Sequence, residues 1–359
     1  MTFIYPKIAI IGAGPAGCML GRLLSLAGIP CTIFESESSL DVRSQGGTLD
    51  LNAGLKAVKR AELWEEYLKF SRFDGSAIGV CDKNADFLFK AGASKVGNPE
   101  IDRVELRRLL LRSLPEGTVK WNSRLLEVKN DLTLQFEDRV ESGFDLIIGA
   151  EGGRSNVRNA LTETKPFFTG IYGYHLSIPN AAEEAPSTAK FVNRGSIFSY
   201  SDCKFLGAQQ IGDGSLEVST YFLEQRYPKE EGVPTKENII KRFSDWSPVM
   251  QDILRASSGK IKVRSFYMLP IGTEWANKKG ITIIGDAAHL MTPFGGEGVN
   301  VAFTDALLLA DAIIAGVRAN DESVLHRKIA EFEKDMFIRA YKVEEMTASM
   351  MKASKSNQA

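Results

Sequence analysis

Two glycine-rich loops hold the residues best placed to do chemistry. In the first, Gly12-Ala13-Gly14-Pro15-Ala16-Gly17 follows the apolar run KIAII at 7–11 and opens a helical pattern. A GxGxxG between a strand and a helix is the setting in which the motif holds a dinucleotide. Gly12 permits the tight turn, Gly14 lets a pyrophosphate approach the backbone, and Gly17 lets the helix pack against the strand. The helix start at Pro15-Ala16 then aims unpaired N–H groups and a positive dipole end at the phosphates. Glu35, with Ser36 beside it, closes the next apolar run 18 residues after Gly17, where a carboxylate accepts hydrogen bonds from a ribose diol. An acid there repels a 2′-phosphate, so the site favours FAD or NAD over NADP.

The second loop lies in IIGDAAHLMTPFGGEGVNVAFTDA, residues 283–306. An apolar run stops at Gly285-Asp286, a loop with Gly295, Gly296 and Gly298 follows, and a helical pattern resumes. A helix beginning at Gly298-Val299-Asn300 presents backbone N–H groups to an anion. Asp286 is either a ligand contact or a helix cap.

The elements that position these loops follow from periodicity. Residues 7–11, 15–28 and 31–35 read as strand, helix and strand, a βαβ unit. Helices are predicted at 53–70 and 101–113, and strands near 118–121, 124–129, 132–136 and 144–149. From 165 to 270 short alternating runs such as SLEVSTYFLE imply an antiparallel sheet, and 73–99 is expected to add strands to it. A strand at 280–284 and a helix from 298 precede a long amphipathic helix after Asp321, with Leu325, Ile329, Phe332, Met336, Ala340, Val343 and Met350 on its apolar stripe.

The bulk numbers agree with a globular protein of roughly two domains. The chain has 359 residues, 44% hydrophobic content, and 44 Lys+Arg against 45 Asp+Glu for a net charge of −1. No global field favours nucleic acid or an acidic membrane, so small molecules are the expected partners. Four scattered cysteines without CxxC or zinc-like spacing point to reduced thiols and a cytoplasmic setting. No membrane span is expected, and a monomer is.

Three motifs in order, GAGPAG, DLIIGAEGGRSNVR (145–158) and GDAAHLMTPFGGEGVN (285–300), make the chain resemble the single-component FAD-dependent aromatic hydroxylases. Within that family it looks most like the tetracycline-inactivating flavin monooxygenases, through GGTLDL (46–51) and NPEIDRVELRRLLL (98–111) as well. The resemblance implies an α/β fold: a Rossmann-like FAD-binding domain (1–72, 100–164, 271–322), an inserted and mostly antiparallel substrate domain (73–99, 165–270) and a C-terminal bracing helix (323–359). It implies one FAD spanning both loops. Asp286 would meet the ribityl–phosphate region, and Pro293 to Asn300, including Gly296, Gly298 and Val299, the pyrimidine edge of the flavin. Arg43, Gly47, Asp50, Arg103 and Arg107 would lie beside FAD. Glu151 stands where the family has Asp and Glu297 where it has Gln; a Glu297 aimed at the flavin would disfavour its reduced anion. His289 takes a structural role.

The resemblance further implies NADPH or NADH as a transient reductant and O2 as co-substrate. A flavin 4a-hydroperoxide would hydroxylate an aromatic or polyketide-like small molecule, with no catalytic side chain required. Tetracycline-type antibiotics are included as adventitious substrates. His175, Tyr200, Gln209, Met268, Pro293 and Phe294 are the expected substrate walls. A halogenase would carry WxWxIP, whereas Trp64, Trp121, Trp246 and Trp275 stand apart. The alternatives are an FAD-binding reductase or a non-catalytic flavin-binding protein.

Overall fold

The structure, a computed structural model, describes residues 6–42, 47–93, 99–224 and 233–356. At its centre lies a parallel sheet in the order Ile281–Ile283, Leu146–Gly149, Ile8–Ile11, Cys31–Phe34, Val119–Lys120. Its three strands Ile281–Ile283, Leu146–Gly149 and Ile8–Ile11 are buried at every residue because both faces are covered. The helices Pro15–Leu26 and Gly298–Ala319 pack against each other over this sheet. Gly298–Ala319 is long and apolar enough to cross a membrane, but most of it is buried inside the protein, as a core helix is.

A second sheet has seven strands in the order Ser258–Met268, Phe167–Ile178, Leu216–Leu223, Lys204–Gln210, Ser196–Ser201, Ile78–Cys81, Phe87–Ala91. The pairs are antiparallel except Ser196–Ser201 with Ile78–Cys81, which run parallel. Burial alternates residue by residue along Leu216–Leu223, so the two faces have different tasks. One face, with Tyr172, Tyr174, Val218 and Phe222, packs under two helices and the turn joining them, which supply Ile239, Phe243, Trp246, Met250 and Leu254. The helices Pro186–Val192, Lys236–Arg242 and Pro248–Ala256 are absent from the sequence reading of this region. The last two had local signals: Thr235 and Ser247 cap them, and Pro248 occupies a first-turn position that tolerates its missing N–H. The opposite face looks back toward the FAD-binding half.

Three other expectations change. The predicted helix 53–70 is two helices, Leu55–Arg60 and Trp64–Phe70, broken near Glu62 at φ 60°. The helix start that the end of residues 145–158 suggests is a single 3₁₀ turn, Arg158–Ala160. On the C-terminal helix, Glu322–Ser356, the buried face drifts. Met350 is exposed and Met351 takes its place in the core, while Glu333, Glu344 and Thr347 are buried with it. Glu333 accepts from Trp275 Nε1 (3.1 Å), Asn277 Nδ2 (2.7 Å) and Thr282 Oγ1 (2.8 Å), and Glu344 accepts from the Gly272 N–H (2.9 Å). Buried carboxylates thus fasten this helix to the core, each with donors that offset its desolvation.

The two C-terminal helices meet at Gly316. A Cβ there would sit 2.5 Å from Leu325 Cα, a contact that backbone cannot relieve by rotating a side chain. Gly316→Ala is expected to cost about 1–3 kcal/mol, read as a lower thermal midpoint; an unchanged midpoint contradicts the close packing described.

Candidate functional site: a crevice between two helix starts

The first loop is closed tightly around its glycines. A Cβ on Gly12 would meet Ala150 O at 2.6 Å, and one on Gly17 would meet Gly12 O at 2.1 Å. Beside Gly14 the nearest atom to such a Cβ is 3.8 Å away, so this glycine faces open space. Pro15 has no N–H and Cys18 already donates to Gly14 O, which leaves the N–H groups of Ala16 and Gly17 without helical acceptors. No side chain caps this helix and no acid lies in its first turn. Glu35 is buried at the end of its strand. It accepts from Ala13 N (2.8 Å), Ser36 Oγ (3.0 Å) and Glu37 N (3.0 Å). A carboxylate has about four lone-pair sites, so capacity for a ribose hydroxyl remains. Arg107, nearly buried, pairs with Glu37 at 2.6 Å and donates to Leu40 O, holding the segment after Glu35 in place.

The second loop begins where a third strand ends. Gly285 is tight against both helices: a Cβ would lie 3.4 Å from Ala16 Cβ and 3.3 Å from Ala302 Cβ. The helix Gly298–Ala319 also starts without a side-chain cap or a first-turn acid. Two positive helix ends therefore open onto one crevice, with Asp286 between them; its Oδ1 lies 4.0 Å from the Cβ position of Gly298. Asp286 is accessible from the crevice but walled by protein. That desolvation raises its carboxyl pKa, against the pull of His289, Arg103 and Arg158.

Arg158 is 2% exposed and donates to Ala287 O (2.9 Å) and Gly153 O (2.5 Å), bracing the Asp286 turn from behind. Glu151 turns inward: Oε1 accepts from Val157 N at 2.9 Å, and Oε2 has no partner. Burial raises its pKa, opposed by that N–H and by Ser155.

His289 belongs to a buried chain of charges. Its Nε2 is 2.5 Å from Asp305 Oδ2, which also accepts from Gly285 N at 3.0 Å, and Asp305 Oδ1 accepts from Arg339 Nη1 at 3.0 Å. Burial disfavours the charged imidazole, but the Asp305 carboxylate outweighs it and raises the His289 pKa. Burial alone would raise Asp305 as well, yet His289 and Arg339 hold it below the usual carboxylate range. The chain ties the second loop, its own helix and the C-terminal helix together.

Asn300 stitches the helix start to the segment after Asp50. Its Oδ1 accepts from Asn52 N (2.9 Å) and Gly54 N (3.1 Å), and its Nδ2 donates to Asp50 O (3.0 Å). Glu297 accepts from Asn52 Nδ2 at 3.3 Å and so is engaged at the rim. Burial, then the charge of Glu297, raises the Asp50 pKa. Gly47, at φ 92°, accepts from Arg103 N at 3.1 Å. Arg43 lies outside the described residues.

The crevice is walled by the second sheet. Gln209 donates to Thr48 Oγ1 (3.4 Å) and Ser196 Oγ (3.1 Å), joining sheet to crevice. Phe294 packs against the cluster of Ile171, Met268 and Met351, which Tyr221 and Phe266 also flank. Tyr200 is 4.8 Å from Phe205, which stacks on Tyr221 at 4.9 Å. His175 lies 3.3 Å from both Ser219 Oγ and Tyr221 Oη. Burial first, and then Arg264, Lys262 and Arg103, push its pKa down to about 4. The structure thus brings His175, Gln209, Met268 and Phe294 to one face, with Tyr200 toward its edge and Pro293 exposed at the loop. Sequence reasoning missed Asp305 and Arg339, whose partners depend on helix phase.

Two uncapped helix starts, an open Gly14 and a buried carboxylate with a spare lone pair fit FAD. The family described as FAD binding domain matches residues 5–69 and 128–331. Monooxygenase penA of Penicillium thymicola is 30% identical, over 86% of this chain and 84% of that protein. The 3-amino-4-hydroxybenzoate 2-monooxygenase PtnB3 of Streptomyces platensis is 27% identical, over 86% of this chain and 79% of that protein. Among solved structures, the tetracycline destructase Tet(55) superposes with a TM-score of 0.74 at 19% identity, over 99% of this chain and 90% of that one; this likeness is one of fold.

His289→Gln removes the cationic partner of a buried carboxylate, which costs roughly 3–5 kcal/mol. Because the folded His289 pKa is raised above its usual 6.5, the stabilisation is complete below that pH and fades as pH rises through the folded value. Asp305, being depressed, keeps its share until pH falls through its own low value. Thermal midpoints should therefore decline on the alkaline side in the native protein, and lie lower without that extra decline in the variant. Parallel profiles would contradict the ion pair.

Proposed function

The chain belongs to the FAD-binding-domain family of flavoprotein monooxygenases, and on that premise we propose that it uses NADPH or NADH and O2 to hydroxylate an aromatic or polyketide-like small molecule. The observation carrying this reading is the joint wall on which Phe294 of the flavin loop and Tyr221 of the second sheet both pack against Ile171, Met268 and Met351. A planar, apolar substrate is suited to that wall, because aromatic surface is best buried against aromatic and thioether side chains. Bound FAD supplies two-electron chemistry with a nicotinamide and with O2.

The protein's own residues hold, orient and exclude. The N–H groups at the starts of Pro15–Leu26 and Gly298–Ala319 stabilise negative charge at the two ends of the crevice. Asn300 ties the start of the second helix to residues 52–54. Phe205, Tyr221, Phe266 and Met268 exclude water from the space opposite the flavin loop. His175 is uncharged at neutral pH and can donate from one ring nitrogen while accepting at the other. No side chain is asked to act as nucleophile or general base. Tetracycline-type polyketides fall within the proposed class as adventitious substrates.

Purified protein should contain or bind FAD, oxidise NADPH or NADH slowly with H2O2 release, and accelerate with one member of a phenolic and polyketide-like panel. Mass spectrometry should then show a product carrying one added oxygen. Protein that binds no FAD, or whose bound flavin neither nicotinamide reduces, would rule the proposal out.

A further inference from the structure

Three methionines of the C-terminal helix close over two neighbouring residues of the flavin loop. Met351 is buried in the cluster that Phe294 packs against. Met346 and Met350, about one helical turn apart and so on the same face, cover Gly295. That glycine is exposed, has φ 89° and carries no side chain. A Cβ there would fall 3.1 Å from Met350 Sδ and 3.7 Å from Met346 Cε, so both thioethers lie against the loop.

Exposure separates this pair from every other methionine among the described residues. Met19, Met250, Met268, Met291, Met336 and Met351 are at most 8% exposed, whereas Met346 is 38% and Met350 44% exposed. Methionine ordinarily fills irregular gaps inside a core, and these two fill none. They present sulfur to solvent at the rim of the crevice, just before the helix start at Gly298. Oxidation turns such a flexible apolar side chain into a polar one and disrupts the packing it made.

We propose that Met346 and Met350 are a modification site, oxidised to sulfoxides by hydrogen peroxide, and that their oxidation loosens the flavin loop. The sulfur lone pair takes one peroxide oxygen as the O–O bond breaks. That oxygen stays on sulfur, its proton passes to the other oxygen, and water leaves. Each sulfur gives up two electrons and the peroxide is reduced. The added oxygen needs room and hydrogen-bond partners that an apolar contact on Gly295 does not offer, so the helix loses its hold on the loop that leads into Gly298–Ala319. The source of the peroxide rests on the hydroxylase reading, in which turnover without substrate releases it. The pair then acts as a brake: uncoupled turnover slackens its own cofactor loop until a sulfoxide reductase reverses the change.

FAD-loaded protein treated with hydrogen peroxide in the absence of nicotinamide, followed by peptide mass spectrometry, tests the site. Met346 and Met350 should each gain one oxygen at least about 10-fold faster than the buried methionines. The modified protein should bind FAD about 2- to 10-fold more weakly by flavin fluorescence. The double variant Met346→Leu with Met350→Leu, close in volume and free of sulfur, should keep its FAD affinity through the same treatment, and methionine sulfoxide reductase should restore the native protein. Equal oxidation of buried and exposed methionines, an unchanged FAD affinity after oxidation, or an equal loss in the double variant overturns the inference. Turnover with nicotinamide and O2 but no substrate should place sulfoxide on the same two residues, and catalase should prevent it; peroxide release without that modification overturns the brake. Absence of peroxide release sinks the hydroxylase reading instead, and the added-peroxide experiment still decides the site. Should the double variant not fold, the mapping and the FAD affinity of the native protein decide alone.

Discussion

Two helices begin without caps and point their starts at the same place. Each helix start carries a positive end equivalent to about half a charge, and an absent cap forfeits about 1 kcal/mol. Pro15–Leu26 and Gly298–Ala319 both accept this cost, with no acid in either first turn. Gly285, at φ 60° and close to both Ala16 and Ala302, lets the two ends converge on one crevice. An elongated ligand with negative charge along its length removes the conflict, and the first-turn backbone is free to meet it.

The rest of the molecule maintains that alignment. Arg158 holds the turn at Asp286 from behind, and Asn300 binds the second helix start to residues 52–54. The His289–Asp305–Arg339 chain carries the constraint to the C-terminal helix, whose Met351 reaches the wall formed with Phe294 and Met268. One helix thus touches the cofactor loop and the substrate side, so the spacing between them is set by covalent helix geometry rather than by a mobile linker.

What the sequence made legible was whatever backbone geometry demands locally. Gly12, Gly14 and Gly17 are spaced for a strand–turn–helix, and Glu35 falls where a strand of that length must end. The apolar runs of the parallel sheet were equally plain. Less legible were residues whose partners lie far along the chain. Asp305 is 16 residues from His289 and 34 from Arg339, and only the phase of two packed helices brings the three together. Glu297 was readable as a departure from its family, but its bond to Asn52 was not. The helices over the far face of the second sheet were masked by the alternation of the strands around them, although Thr235 and Ser247 marked two of their starts.

The central claim is that two glycine loops, far apart in sequence, hold one ligand. Backbone hydrogen exchange measured with and without one equivalent of FAD tests it most directly. The account predicts protection of Ala16 and Gly17 together with Gly298, Val299 and Asn300, saturating at the same FAD concentration. Protection confined to the first loop, with the second unchanged at saturation, would contradict it.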